Sequence, residues 1–231
     1  MQKIMVVIPT TDQRVSVYTA ISLRKASLKP YRIGIISKSN SLLANNFNSL
    51  WWSALSGDAP SWWLMLHSDV SVDGIGWIDK MIEIAESRNL DILSGIIPFR
   101  SDSGLTSTAI DCDKWAPRRL TMTEVMDCPP TFDNGYAAEK FGHPLLFNTG
   151  LMLVRWEGDW RHDVTFTIND KVEGGKAMVE PEDWGFSRWC RARDIRVAVT
   201  REVKIIHHDG SRQYSNENAW GTERVDPKWP S

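Results

Sequence analysis

Five consecutive apolar residues, Trp62-Trp63-Leu64-Met65-Leu66, run directly into His67-Ser68-Asp69. An uninterrupted apolar run this short, with Pro60 before it and polar residues after it, reads as a strand buried on both faces. Such strands sit in the middle of a sheet covered by helices on both sides. In an open α/β sheet, ligands bind in the crevice outside the carboxyl ends of the strands. Asp69 therefore falls at a crevice. A carboxylate there either caps the following turn, a common use of Asp, or offers oxygens suited to a hard divalent cation that also grips a phosphate. The strand alone leaves both open.

The flanking sequence fits that sheet. Ile4 to Ile8 reads as a buried strand closed by Pro9-Thr10-Thr11, Val15 to Lys25 as a helix, and Arg32 to Ile36 as a second strand ending in Ser37 to Ser41. Leu43, Phe47, Leu50 and Ala54 recur at helical spacing within Leu42 to Leu55. Trp77 to Ser87 predicts an amphipathic helix with Ile78, Met81, Ile82 and Ala85 on one face, and Asp91 to Ile97 a fourth strand ended by Pro98. Alternating strands and helices over the first hundred residues specify a parallel α/β sheet. No glycine-rich turn follows the first strand, which argues against a dinucleotide-binding Rossmann start and against a P-loop.

Residues 99–145 lose this rhythm. They are rich in Ser, Thr, Asp, Pro and Gly, with strand-like pieces at Leu105 to Ile110 and Leu120 to Val125, and read as a loop-rich insertion of functional length. A strand with a tight polar entry follows at Leu145 to Val154, and an edge strand at Val164 to Ile168. Glu180-Pro181-Glu182-Asp183 then opens a helix to about Arg193, with Pro in the first turn and acids at the positive end of the helix dipole. Ile195 to Val199 and Val203 to Ile206 read as strands, the second ending in His207-His208-Asp209-Gly210. From Gln213 the chain is polar and is expected to lie over the surface with Trp220 and Trp229.

Composition narrows the function classes. A chain of 231 residues with 42% apolar and 24% charged residues has the make-up of an ordinary globular protein with a full core. A formal net charge of -2 gives no whole-chain basic footprint for indiscriminate nucleic-acid binding. Cys112, Cys128 and Cys190 form no CxxC pair, so neither a zinc knuckle nor a disulfide framework is indicated, and a cytoplasmic, reducing setting fits. No apolar run approaches the length of a membrane span or a signal peptide. Twelve tryptophans suit sugar stacking, but a core or an interface uses them too, and composition alone favours the latter.

Three polar groups stand at the ends of apolar elements: His67-Ser68-Asp69, Glu182-Asp183 and His207-His208-Asp209. Singly, each has a plain structural reading as a turn, a helix cap or a bonded histidine. Their order is more specific: an acid after the third strand, Glu-Asp heading a late helix, and a His followed by Gly after a late strand. This order, from Ile4 to about Gly210, resembles glycosyltransferases of the GT-A fold, most of all the inverting family 2 type. The resemblance implies a single α/β domain with a Rossmann-like mixed sheet and flanking helices, residues 1–100 forming the nucleotide-sugar half and 101–231 the acceptor half and tail.

Residue by residue, the resemblance gives Asp69 the place of the last acid of a D-x-D-like motif, with His67 standing where the first acid would be. It implies a divalent cation, Mn2+ or Mg2+, held by Asp69 and by His208 of the His208-Asp209-Gly210 step, with the choice between His207 and His208 left open. Pro9, Thr10, Asn46 (in Ala44-Asn45-Asn46), His67 and Ser68 fall on the donor side. Asn148, Thr149 and Gly150 match the segment that frames the sugar and acceptor. Glu182-Asp183-Trp184 matches the E-D motif, with Asp183 as catalytic base and Glu182 as the near alternative. The acid expected to read uracil after the second strand is absent from Ser37 to Ser41. The chain also resembles small phage- or prophage-type glycosyltransferases, some of which modify hydroxymethylated bases in DNA and others surface glycans. For DNA, the sequence offers Arg118-Arg119 and six basic residues between Arg188 and Lys204 set against Asp194 and Glu202. These read either as a phosphate-tracking groove or as a solvated face. A non-catalytic module binding nucleotide-sugar or glycan is the reading from outside the enzyme class.

Overall fold

The computed structural model describes residues 1–221. Its centre is a seven-stranded sheet in the order β2-β1-β3-β10-β5-β13-β8. These strands are β1 (Lys3–Thr10), β2 (Arg32–Ser39), β3 (Trp62–Leu66), β5 (Ile92–Gly95), β8 (Thr131–Asp133), β10 (Leu151–Arg155) and β13 (Val197–Thr200). Strands β1, β2 and β3 run parallel, as do β5 and β13, while β10 lies antiparallel between β3 and β5 and β8 antiparallel on β13. This is the expected α/β class, a Rossmann-like mixed sheet with flanking helices.

The central strands are apolar throughout because both faces are covered. Alternate residues point to opposite sides. Met5, Val7, Trp63 and Met65 face one core with α2 (Leu43–Ser56) and α6 (Glu182–Arg191), and Ile4, Val6, Trp62 and Leu64 face another with α3 (Trp77–Ser87). The first core is aromatic: the Trp51 ring lies 4.9 Å from Trp63, 4.7 Å from Trp156 and 5.9 Å from Phe166. Much of the tryptophan content is thus spent on packing. The helix α1 (Val17–Arg24) is capped by the Ser16 side chain and tied to the β3 exit, since Ser16 N and Thr19 Oγ1 both donate to Ser68 O.

The segment between β5 and β10 is more ordered than the sequence suggests. β6 (Leu105–Ile110), β7 (Arg118–Thr121) and β9 (Leu145–Leu146) form a small antiparallel sheet. The strand expected over Leu120 to Val125 breaks after Thr121, where a Thr121/Glu124 capping box starts α4 (Met122–Met126). β8 and α5 (Asn134–Phe141) follow, and β8 completes the main sheet. No strand forms over Val164 to Ile168; the chain there is irregular and leads into an exposed hairpin, β11 (Asn169–Glu173) with β12 (Lys176–Glu180).

An expected strand, longer than the sequence suggests, and two short strands that the sequence hides form a small sheet beside β3. β4 (Val70–Asp73) follows Asp69 at once, and β14 (Lys204–Asp209) continues through both histidines, pairing with β4 on one side and β15 (Arg212–Ser215) on the other. Trp220 Nε1 donates to Ser215 O, so the described part of the tail packs on β15; Trp229 lies outside the described residues. Among the described residues, no helix is long and apolar enough to cross a membrane, and all three cysteines are free.

Candidate functional site

Asp69 leaves the carboxyl end of β3 with its side chain only partly covered. Its Oδ2 lies 3.4 Å from His207 Nε2 and 3.1 Å from Arg100 Nη1. Burial pushes this carboxyl up, but the hydrogen bond with His207 and the charges of His207, His67 and Arg100 outweigh it and hold the pKa down at about 2. His207 is oriented from behind, with its Nδ1 2.8 Å from the carbonyl oxygen of Pro98. A carbonyl only accepts, so Nδ1 carries the proton. In the protonated ring Nε2 donates to Asp69 Oδ2, and in the neutral ring that bond is given up and the Nε2 lone pair is open to a cation. This is the usual bonding of a metal-ligating histidine, one ring nitrogen fixed by a backbone carbonyl and the other free to coordinate.

His208 is not in this cluster. Because β14 extends to Asp209, residues 207 and 208 point to opposite faces. His208 N donates to Asp69 O, while its ring stacks on Tyr18 at 4.5 Å and its Nε2 sits 2.7 Å from Ser71 Oγ. The expected Asp69–His208 pairing is therefore replaced by Asp69–His207. His67 is partly buried beside Phe47, the ring centroids 5.5 Å apart. Burial lowers its pKa to about 4, so the ring is neutral, and its Nε2 has no hydrogen-bond partner.

Among the described residues, no group of three or more His, Cys, Asp or Glu is arranged to hold a metal. The Asp69–His207 pair nevertheless has the donor chemistry for a divalent cation that takes its remaining ligands from phosphate oxygens and water, as Mg2+ commonly does. The fit is with two protein ligands, one of them not the histidine expected.

The framing residues connect β3 to the head of α6. Gly150 O accepts from His67 N, and a Cβ at Gly150 would meet Ile97 Cδ1 at 2.6 Å, so a side chain there would have to displace the end of Ile97. Asn148 is buried and spends its side chain on Gly95 O and Gly150 N. Thr149 is also buried. These residues shape the floor; the Asn148 amide is not free to bind a substrate. Phe147 N accepts nothing itself but donates to Ser187 Oγ on α6, and Ser187 Oγ returns a bond to Phe147 O. Asn46 is buried too, its amide nitrogen bridging Thr10 O and Lys38 O at the exits of β1 and β2, with Oδ1 unpartnered. Pro9 and Thr10 close β1 there, in register with Lys38 and Ser39.

At the head of α6, Asp183 Oδ1 accepts from Trp184 N at 2.8 Å. Burial, then the neighbouring Glu182, raises the Asp183 pKa to about 7, against the opposing pull of Arg119 and the Trp184 N–H. Burial raises Glu182 as well. Arg119 is clamped between the rings of Phe99, 4.3 Å from its guanidinium carbon, and Trp184, 4.9 Å away. Trp184 is itself buried, its Nε1 unpartnered.

The basic residues offered for DNA are committed elsewhere. Strand alternation sends Arg118 away from Arg119, onto Glu124 at 2.7 Å. Arg188 binds Asp111 and Glu180, Arg191 binds Asp111, and Arg196 binds Asp91. Arg193 stacks on Trp189, Arg201 donates to Cys128 O, and Lys204 joins Asp73 and Glu217. The phosphate-tracking groove loses its footing: these cations already have intramolecular partners.

One stretch passed over in the sequence joins both poles. Pro98 O orients His207, Phe99 stacks on Arg119 beside Asp183, and Arg100 pairs with Asp69. Its available signal was position, just past the carboxyl end of a central strand.

No family model and no curated protein matches the sequence. Among solved structures, the chain is similar in fold to A197 from STIV, with a TM-score of 0.58 and 11% identity over 97% of this chain and 96% of that one. A more distant likeness is to residues 1–349 of S. aureus TarS in complex with UDP, at a TM-score of 0.45 and 13% identity, covering 87% of this chain and 58% of that one. The same TarS segment in complex with UDP-GlcNAc gives 0.43 and 12%, covering 87% and 56%.

Proposed function

We propose that the chain is a nucleotide-sugar-dependent glycosyltransferase, inverting at the transferred carbon. The donor diphosphate would lie over Asp69 and His207, with the acceptor hydroxyl against Asp183. The observation that carries the reading is the opposed tuning of two carboxyls that residues 98–100 link: Asp69, facing Arg100 and His207, is held at about 2, and Asp183, next to Trp184 and influenced by the Phe99-stacked Arg119, is raised to about 7. Sites whose titratable groups are pushed apart in this way divide their tasks, one remaining charged and the other exchanging a proton near neutral pH.

The roles follow from chemistry. Asp69 stays ionised at any physiological pH and, with the Nε2 lone pair of His207, would hold Mn2+ or Mg2+. That cation would supply a Lewis acid to the leaving diphosphate. An acceptor hydroxyl is a poor nucleophile until its proton is taken, and a base titrating near the working pH does this best. Asp183 fits that description, its carboxyl oriented by the Trp184 N–H and its charge balanced by Arg119. Attack from the face opposite the leaving group gives inversion. Residues 1–100 would provide the donor half and the later residues the acceptor half.

The test is a transfer assay read by mass spectrometry, with UDP-sugars and other nucleotide-sugars offered against simple glycans and hydroxymethylated duplex DNA, with and without Mn2+. Sugar transfer or donor hydrolysis that needs Mn2+ supports the reading. Tight donor binding with no bond cleavage on any acceptor, or on water, would leave a binding module instead.

A further inference from the structure

Arg100 is held differently from the other arginines around the site. Its side chain is 47% exposed, and its one ion pair among the described residues is the 3.1 Å contact with Asp69 Oδ2. That same oxygen faces His207 Nε2. The backbone beneath it is fixed: Pro98 O is engaged by His207, Phe99 N donates to Leu105 O at 2.8 Å, and the Phe99 ring is stacked on Arg119. A half-exposed guanidinium thus projects from a pinned backbone onto the carboxylate at the centre of the site.

We propose that Arg100 is an exchangeable counter-ion: it holds Asp69 while the donor is absent and passes to the donor's diphosphate when the cation and donor bind. This rests on the donor reading above and assigns the anion-binding residue of that site. The chemistry favours the exchange. With Asp69, Arg100 makes a single ion-pair contact to one carboxylate oxygen in a partly solvated setting, where an ion pair is weak. A diphosphate offers several oxygens and more charge, and the planar guanidinium fork matches it bidentately. A divalent cation and the guanidinium compete for Asp69, so the arrival of one and the departure of the other are coupled, and the carboxylate keeps a positive partner throughout.

Competition gives opposite signs in two binding experiments on one variant. In Arg100→Gln, Mn2+ alone no longer has to displace a guanidinium, and its affinity should rise about two- to five-fold, the scale of an exposed ion pair. UDP binding in saturating Mn2+ should weaken about ten- to a hundred-fold, the scale of a charged hydrogen-bond pair. Both are read by titration calorimetry on the full chain, with circular dichroism confirming that the variant is folded. Opposite shifts support the proposal. Unchanged UDP affinity overturns it, and so does a parallel loss of Mn2+ and UDP affinity, which would mark Arg100 as merely supporting Asp69. Failure of the wild-type chain to bind UDP in Mn2+ would refute the donor reading itself, and this proposal with it; a normal wild type beside an unaltered variant refutes the proposal alone.

Discussion

Replacing Asp183 by Asn should damage activity and improve stability, in a pH-dependent way that separates a base from a cap. Asn keeps an oxygen for the 2.8 Å bond from Trp184 N, so the start of α6 is preserved. What is lost is the proton acceptor. General-base catalysis contributes about a hundred- to ten-thousand-fold, or roughly 3–5 kcal/mol of barrier, so transfer should fall by at least two orders of magnitude with donor affinity near normal. The stability effect has the opposite sign. The folded pKa of Asp183 is raised to about 7, well above the ordinary carboxylate range, so the folded chain holds a proton that the unfolded chain releases at lower pH. Wild-type stability therefore declines as pH rises from about 4 to about 7 and stays reduced above that. The full linkage would be on the order of a few kcal/mol, reduced by relaxation and water penetration around a partly covered group. Asn removes this loss. In thermal melts at pH 8 the variant should be at least as stable as wild type, while the two should agree near pH 4. Wild-type transfer rates, or a variant less stable at pH 8 than at pH 4 relative to wild type, would refute the reasoning and turn attention to Glu182.

Other substitutions probe the remaining parts. His207→Ala should abolish Mn2+-dependent nucleotide binding, whereas His208→Ala should leave it in place and lower the melting temperature through loss of the Tyr18 stack and the Ser71 bond; calorimetry and thermal melts separate the two. Arg188→Met removes one of the two arginines on Asp111 and the ion-pair partner of Glu180, whose side chains are 9% and 6% exposed, and should destabilise the fold by about 1–3 kcal/mol in chemical denaturation, the scale of partly unsatisfied buried groups. Gly150→Ala drives a methyl into Ile97 and should cost about 1–3 kcal/mol as overpacking, with loss of donor binding as the His67 wall shifts.

The sheet was legible where burial forces composition. Trp62 to Leu66 could be little else than a central strand, and Trp77 to Ser87 shows its helix through Ile78, Met81 and Ile82 on one side. What stayed hidden depended on partners distant in sequence. β4 has only four residues, two of them polar, and follows His67-Ser68-Asp69 at once, so it looks like a turn until β14 pairs with it. That same pairing carries β14 past Ile206, and strand alternation then decides between His207 and His208. Arg118 and Arg119 looked like one basic step, but on a strand they face opposite ways, one to Glu124 and the other to Trp184. Arg188 looked like part of a basic face because Asp111, 77 residues away, carries no mark of its role. The acids at 69, 182 and 183 stand out in the sequence because one follows an apolar strand and two head a helix; Arg100 does not, because nothing local distinguishes it from a surface arginine.

The most direct test of the central claim is where a divalent cation and a nucleotide diphosphate bind. A crystal of the chain grown with UDP and Mn2+, with data at a wavelength where manganese scatters anomalously, should show one peak bridging the Asp69 carboxylate, His207 Nε2 and the diphosphate, with the far side of the sugar position facing Asp183. A peak at His208 and Ser71, or a nucleotide bound away from the carboxyl end of β3, would contradict it.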